Sequence, residues 1–264
     1  MRHIYLLIFF LILFCHFYYL SAEQALNVEE RFIGWKGETV RKAIKKETSE
    51  KPWIETISWY PRAFIYHKFL THDECDHLIS LAKGRLQRSR VVSKDGFGLM
   101  DPVRTSYSTR IFPEETKIVE NISKRIAWWT HLPEAQAEPY EVLKYIDGQK
   151  YDAHWDWFDK DTLQGSNRIA TVLMYLSDVD SWNGAGGETA LPLAEPLDPA
   201  KQSIVGLSAC ANRSGLAVVP RKGDVLLFWD AYPDTTKSDR HSLHASCPTF
   251  KGEKWTATRW IHAG

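Results

Sequence analysis

The stretch Tyr151-Asp-Ala-His154-Trp-Asp156 offers an imidazole and a carboxylate two residues apart. In extended chain, residues i and i+2 face the same way, so both side chains can reach one metal ion. A lone His-x-Asp also occurs on ordinary surface turns, so the chemistry needs a third ligand. The chain has 10 histidines, and His241, His244 and His262 fall in its C-terminal block. His244 opens Leu243-His-Ala-Ser-Cys-Pro248. Two imidazoles and one carboxylate that leave coordination positions open suit a ferrous ion meeting dioxygen and a two-oxygen cosubstrate together.

A second constellation lies on the last predicted strand. From Lys254 to His262 the even positions are Lys254, Thr256, Thr258, Trp260 and His262, and the odd ones are Trp255, Ala257, Arg259 and Ile261. A lysine turned into a barrel is costly unless an anion pairs with it. A dicarboxylate held by iron at one end would meet that ammonium at the other. Lys254 follows His244 by ten residues, far enough for a hairpin return. The alternative, that the even face is solvent, stays open on sequence alone.

The elements that must position these groups can be read from periodicity. Ala63–Leu70 reads as a strand. Thr71-His-Asp-Glu74 is a capping box, Cys75, Leu78, Ile79 and Ala82 follow at helical spacing, and Gly84 is a stop signal. A second helix is expected around Glu114–Trp129. The period then changes to two, giving strands at Glu141–Ile146, Ile169–Leu176, Leu216–Val219, Asp224–Trp229 and Trp255–His262. Pro220-Arg-Lys-Gly223 reads as a hairpin turn. Helices followed by many strands predict an α+β domain with a sandwich or barrel in its second half. Trp128, Trp129 and Trp229 are expected in the core or at its edge.

With 264 residues, 44% hydrophobic and 25% charged, the chain is an ordinary globular one. Lys plus Arg equals Asp plus Glu at 33 each, so it lacks the basic footprint of a nucleic-acid binder. Residues 4 to 20 carry no formal charge, at the lower edge of a bilayer span. Arg2 precedes them, and Glu23, Glu29 and Glu30 follow. That asymmetry predicts a type II signal-anchor, or else a cleaved signal peptide, at residues 1–22. A charged stem at 23–52 and a domain at 53–264 would then lie in the secretory lumen. Cys75, Cys210 and Cys247 allow at most one bridge there, with the pairing open. The sequons at Asn121 and Asn212 are candidate glycosylation sites.

Several spaced motifs agree in order: Tyr151-x-x-His154-x-Asp156, Gly187-Glu188-Thr189, Ser242-Leu-His244-x-x-Cys247-Pro248, Gly252-x-Lys254-Trp255 and Trp260-Ile261-His262. With them, from about Ile57 to His262, the chain resembles the catalytic domain of prolyl 4-hydroxylases of the membrane-anchored plant and algal type. These are Fe(II)- and 2-oxoglutarate-dependent dioxygenases. The resemblance implies a double-stranded β-helix, or jelly-roll, flanked by helices. It implies iron on His154, Asp156 and His244, and 2-oxoglutarate on Lys254 with help from Thr189 and Tyr145. Arg104 and Ser106 match a loop that closes over the peptide. Glu138, Tyr151, Arg168, Trp260 and His262 match positions around the substrate proline, and Tyr107 is a further candidate wall. L-ascorbate is implied as the reductant, proline-rich segments of secretory proteins as partners, and the endoplasmic reticulum membrane as the location. The chain departs at Leu191, where the family usually has Phe, and in a short Trp157–Asn167 segment.

Other readings keep part of this picture. A lysyl or other protein hydroxylase would use the same cofactors, with Glu138 available to a lysine. A non-catalytic jelly-roll would only grip peptide or glycan, although all three ligands and Lys254 are present. A zinc hydrolase would want a general base that no motif supplies.

Overall fold

The computed structural model describes residues 51–92, 98–158, 166–179, 184–199, 206–212, 214–234 and 237–264. The expected membrane segment at 1–22 and almost all of the stem lie outside the described residues. No helix among the described residues is long and apolar enough to cross a membrane.

In chain order the strands are β1 (Trp53–Tyr60), β2 (Arg62–His67), β3 (Gln87–Arg88), β4 (Val91–Val92), β5 (Gly98–Leu99), β6 (Tyr107–Ile111) and β7 (Tyr140–Tyr145). There follow β8 (Gln149–His154), β9 (Arg168–Tyr175), β10 (Thr189–Leu191), β11 (Glu195–Pro196), β12 (Leu216–Val218), β13 (Val225–Trp229), β14 (His244–Thr249) and β15 (Lys254–His262). Two helices, α1 (His72–Lys83) and α2 (Lys117–Thr130), complete a mostly β structure. A nine-stranded sheet runs β11-β1-β2-β13-β9-β15-β7-β6-β3, and a four-stranded sheet runs β12-β10-β14-β8.

β13 shows why the layers form. Its five residues are all apolar and buried, as expected for a strand covered on both faces. Val225, Leu227 and Trp229 turn to one face and join Leu78, Ile122 and Trp129 under the helices. Leu226 and Phe228 turn to the other and join Leu191, Leu216 and Val218 of the small sheet. Leu191 thus fills a fully buried place between the sheets.

The capping box is present: Glu74 N–H donates to Thr71 Oγ1 at 3.2 Å, and Thr71 N–H to Glu74 Oε2 at 2.9 Å. The first predicted strand stops at His67 because Lys68 turns into the left-handed region at φ 57°. The second helix starts at Lys117, after a 3₁₀ turn at Pro113–Glu115, because Thr116 caps it through Val119 N–H. Trp129 and Trp229 are buried, whereas Trp128 is 75% exposed on the outer face of α2.

Two expectations fail in the same way. Pro220–Gly223 makes a turn, but β12 and β13 on either side belong to different sheets, so it is no hairpin. His244 and Lys254 likewise sit on β14 and β15 in different sheets. Both connections carry the chain from the small layer to the large one.

Candidate metal centre and the pocket beside it

The three residues proposed as ligands meet through strand pairing. β14 and β8 are antiparallel neighbours, and His244 lies directly opposite His154. That register brings residues 90 positions apart to a ring separation of 4.3 Å. Asp156 lies in the bend two residues past the end of β8. Its Oδ1 is 3.6 Å from His154 Nε2, and its Oδ2 is 3.5 Å from His244 Nε2. The ligand atoms of all three lie within 4.8 Å of one another.

The donor set fits a divalent metal. His154 Nδ1 faces the Asp152 carbonyl at 2.8 Å, and His244 Nδ1 faces the Ser242 carbonyl at 3.0 Å. A ring that donates Nδ1–H to a carbonyl presents Nε2 as a bare lone pair, which is how second-shell contacts prepare metal ligands. Both Nε2 atoms turn to the same point. Burial, then the neighbouring His244 ring, pushes the His154 pKa down to about 3, toward the neutral form a ligand needs. Burial alone would raise the Asp156 pKa, but His244, His154, Arg168 and the Thr171 hydroxyl together hold it below the usual carboxylate range.

Asp156 is clamped from the large sheet. Thr171 on β9 donates to its Oδ2 at 2.7 Å, and Trp260 on β15 donates its indole N–H to the same oxygen at 2.7 Å. The signal for Thr171 was present in the sequence as a polar residue inside an apolar strand. Trp260 was expected at the substrate; the structure gives its polar end to Asp156. The His244 ring lies 4.7 Å from Phe228, and the His154 ring stacks on Tyr151 at 3.6 Å.

A pocket of roughly 460 Å³, counting its open mouth, extends from this cluster between the sheets. Lys254, Thr256, Thr258 and Trp260 line it, while Trp255, Ala257 and Ile261 join the helix-side core. The even face of β15 is therefore the inner one. Lys254 is 1% exposed, and its Nζ donates to Ser246 Oγ at 2.9 Å over the Tyr145 ring. Burial pushes its pKa down to about 7, against the opposing pull of Glu188. Among the described residues no carboxylate lies within ion-pair distance, so the buried cation is turned to the cavity. Thr189 reaches the same pocket, its hydroxyl 2.9 Å from Tyr175 Oη, and Tyr145 hydrogen-bonds Ser246 and Ser106. Ser246 was not singled out from sequence.

Thr189 is delivered by a close approach. Gly186 has φ 79°, and a Cβ there would stand 1.8 Å from the Pro248 carbonyl oxygen. Only glycine lets the chain pass β14 at that distance.

Next to Trp260 and Asp156, Glu138 accepts from Arg168 Nε at 2.6 Å and Nη2 at 3.1 Å, and lies 2.9 Å from His262 Nε2. The Arg168 guanidinium covers the Trp260 ring at 3.9 Å and stands 3.9 Å from Asp156 Oδ1. Arg104 pairs with Glu141 at 2.9 Å and lies over Tyr151 at 4.8 Å. Ser106 is fully buried, its hydroxyl 2.9 Å from Ser89, so it sits beneath the pocket wall. Tyr107 is 40% exposed. Cys210 pairs with Cys247, three residues beyond His244 on β14, and Cys75 is buried and free.

Residues 140–262 match the 2OG-Fe(II) oxygenase superfamily model. Prolyl 4-hydroxylase 5 of Arabidopsis thaliana is 46% identical over 220 residues, covering 82% of this chain and 74% of its own. Probable prolyl 4-hydroxylase 6 of the same plant is 48% identical over 213 residues, covering 79% and 72%. Among solved structures, the 2OG complex of a viral collagen prolyl hydroxylase from Paramecium Bursaria Chlorella virus-1 aligns with TM-score 0.56 and 28% identity, covering 76% of this chain and 96% of that one.

Proposed function

The chain belongs to the prolyl 4-hydroxylases of the 2-oxoglutarate- and Fe(II)-dependent oxygenase superfamily, and from that premise we infer how its residues divide the work. It is a dioxygenase that hydroxylates peptidyl proline, with 2-oxoglutarate as cosubstrate. The two sheets are read as the double-stranded β-helix of that superfamily. The observation that carries the site assignment is the His154, Asp156 and His244 cluster, with both Nε2 atoms turned inward, opening onto a pocket that ends at a buried ammonium.

His154, Asp156 and His244 would hold the iron, which when bound supplies oxygen activation coupled to 2-oxoglutarate decarboxylation. Lys254 would pair with the distal carboxylate of the cosubstrate, and the Thr189 and Tyr145 hydroxyls would fix its orientation. The chain supplies position and exclusion of water rather than acid–base catalysis. Arg104, Glu138, Tyr151, Arg168, Trp260 and His262 are assigned to the peptide side, whereas Ser106, expected there, is buried beneath the wall and would support Tyr145 from behind. A proline-rich segment in the polyproline II form is already extended, and the aromatic faces of Tyr151 and Trp260 suit it. Glu138 is committed to Arg168 and His262, which disfavours a lysyl hydroxylase that would need it for the substrate ammonium. L-ascorbate is the proposed reductant. Attachment to the endoplasmic reticulum membrane through residues 1–22, a lumenal domain, and glycosylation at Asn121 and Asn212 rest on the sequence pattern.

The test is mass spectrometry of proline-rich and collagen-like peptides after incubation with Fe(II), 2-oxoglutarate and ascorbate, omitting each in turn. A 16 Da gain on proline that requires iron and 2-oxoglutarate is expected. Gain on lysine instead, or none on any peptide, would refute the reading.

A further inference from the structure

Thr171 Oγ1 stands 2.7 Å from Asp156 Oδ2 and 2.7 Å from Asp230 Oδ2. A hydroxyl carries one proton, yet two acids flank it. If both acids were ionised, one of these contacts would be two lone pairs pressed together. A second proton therefore belongs to the trio, and the surroundings say where it resides. Asp156 receives an independent hydrogen bond from Trp260 and has His154, His244 and Arg168 around it, so it is the anion.

Asp230 has none of that support. It is fully buried, and its Oδ1 meets no hydrogen-bond partner among the described residues. A carboxylate there would be a desolvated charge with one bare oxygen. A carboxylic acid needs only one acceptor for its O–H, and its carbonyl oxygen tolerates isolation far better. Burial and the nearby Asp156 both push the Asp230 pKa well above the usual range, in the same sense. Its place is fixed by backbone bonds at 2.8 Å, from its N–H to Ile169 and to its carbonyl from Asp239 N–H.

On the reading that His154, Asp156 and His244 hold iron, we propose that Asp230 is a positioning residue that acts on the metal through Thr171. Its carboxyl O–H donates to Thr171 Oγ1, which commits the single Thr171 proton to Asp156 Oδ2. With Trp260 on that oxygen as well, Asp156 cannot rotate, and Oδ1 is the atom left for the ion. The relay runs from the end of β13 through β9 to the bend after β8.

The experiment measures Mn(II) binding to the metal-free full chain by calorimetry, without turnover. Outer-shell partners of metal ligands are commonly worth roughly 10–100-fold in affinity. Asp230→Ala and Thr171→Val should each weaken Mn(II) by about that factor. Asp230→Asn, whose amide N–H donates to the same oxygen, should stay close to wild type, as should Thr171→Ser. The double variant Asp230→Ala with Thr171→Val should bind no worse than Thr171→Val alone. Melting temperatures identify any variant that fails to fold, in which case the Asn and Ser variants decide. Wild-type affinity in a folded Asp230→Ala, or an Asp230→Asn as weak as Asp230→Ala, overturns the relay alone. A wild type that binds no Mn(II) overturns the metal assignment and the relay with it.

Discussion

Lys254 Nζ donates to Ser246 Oγ at 2.9 Å across the gap between the two sheets. This ammonium is enclosed with a hydroxyl and an aromatic ring, and no carboxylate among the described residues lies within ion-pair distance. Removing one member of a buried ion pair typically costs about 3–5 kcal/mol. Lys254→Met should therefore raise the 2-oxoglutarate KM by roughly two orders of magnitude or more, while Mn(II) binding stays intact. Steady-state kinetics and metal titration check this, and an unchanged KM would remove Lys254 from the cosubstrate site.

The same group sets a pH dependence. Its pKa in the fold is about 7, below its ordinary 10.5. Between those values the unfolded chain binds more protons, so this lysine makes the unliganded fold more stable as pH rises from about 7 toward 10.5. Cosubstrate binding needs the charged form, so affinity should fall above pH 7, by up to about tenfold per unit. Calorimetry at pH 8 in buffers of different ionisation heat should show proton uptake on 2-oxoglutarate binding. Equal heats in all buffers would contradict it.

His154→Ala and His244→Ala each delete an imidazole whose Nδ1 is already held by a backbone carbonyl. Each should abolish hydroxylation and Mn(II) binding without unfolding the domain. Metal titration beside circular dichroism separates lost ligation from lost structure.

Glu138→Gln should weaken peptide binding more than turnover, because it releases Arg168 and His262 next to Trp260 and leaves the pocket alone. Its stability cost should be about 1–2 kcal/mol, discounted for partial exposure. The Glu138 carboxylate is pulled down to about 2: burial opposes this, but His262 and Arg168 outweigh it. The His262 pKa is raised, first by its bond to Glu138. The Glu138 share of stability is lost as pH falls from about 4.5 toward 2. The His262 share is complete below 6.5 and lost as pH rises through the raised value. Thermal unfolding at pH 5.5 and 8 should show a larger gap between wild type and variant at the lower pH.

Cys210 and Cys247 close a loop of 37 residues, for which chain entropy gives about 3–4 kcal/mol. Cys210→Ser should lower stability by about that amount in denaturant titration. No change on reduction would mean the bond is absent in solution.

What the sequence revealed and what it hid follow from the range of the forces. β13 was readable because five consecutive apolar residues report two covered faces locally. The capping box at Thr71 and the His154-x-Asp156 pair were readable for the same reason. Of the small sheet only β12 was: β8 and β14 turn Tyr151, His154, His244 and Ser246 toward the pocket, which hides the alternation that marks a strand. The Pro220–Gly223 turn looked like a hairpin because turn chemistry is local, whereas the choice of sheet for each arm depends on partners far along the chain. Asp230, one residue past the strand expected at Asp224–Trp229, was not singled out from sequence, and only the fold shows that it is enclosed.

The two sheets divide the metal site between them. The small sheet carries both imidazoles, and the large one carries Thr171 and Trp260, which clamp the carboxylate. All three ligands hang from the small layer and the aim of the carboxylate is set by the large one, so the metal would act as a rivet between the layers and as a reporter of their docking. Damage at the seam, such as loss of the Phe228 ring beside His244, should appear first as an empty rivet hole in a chain whose helices are still in place.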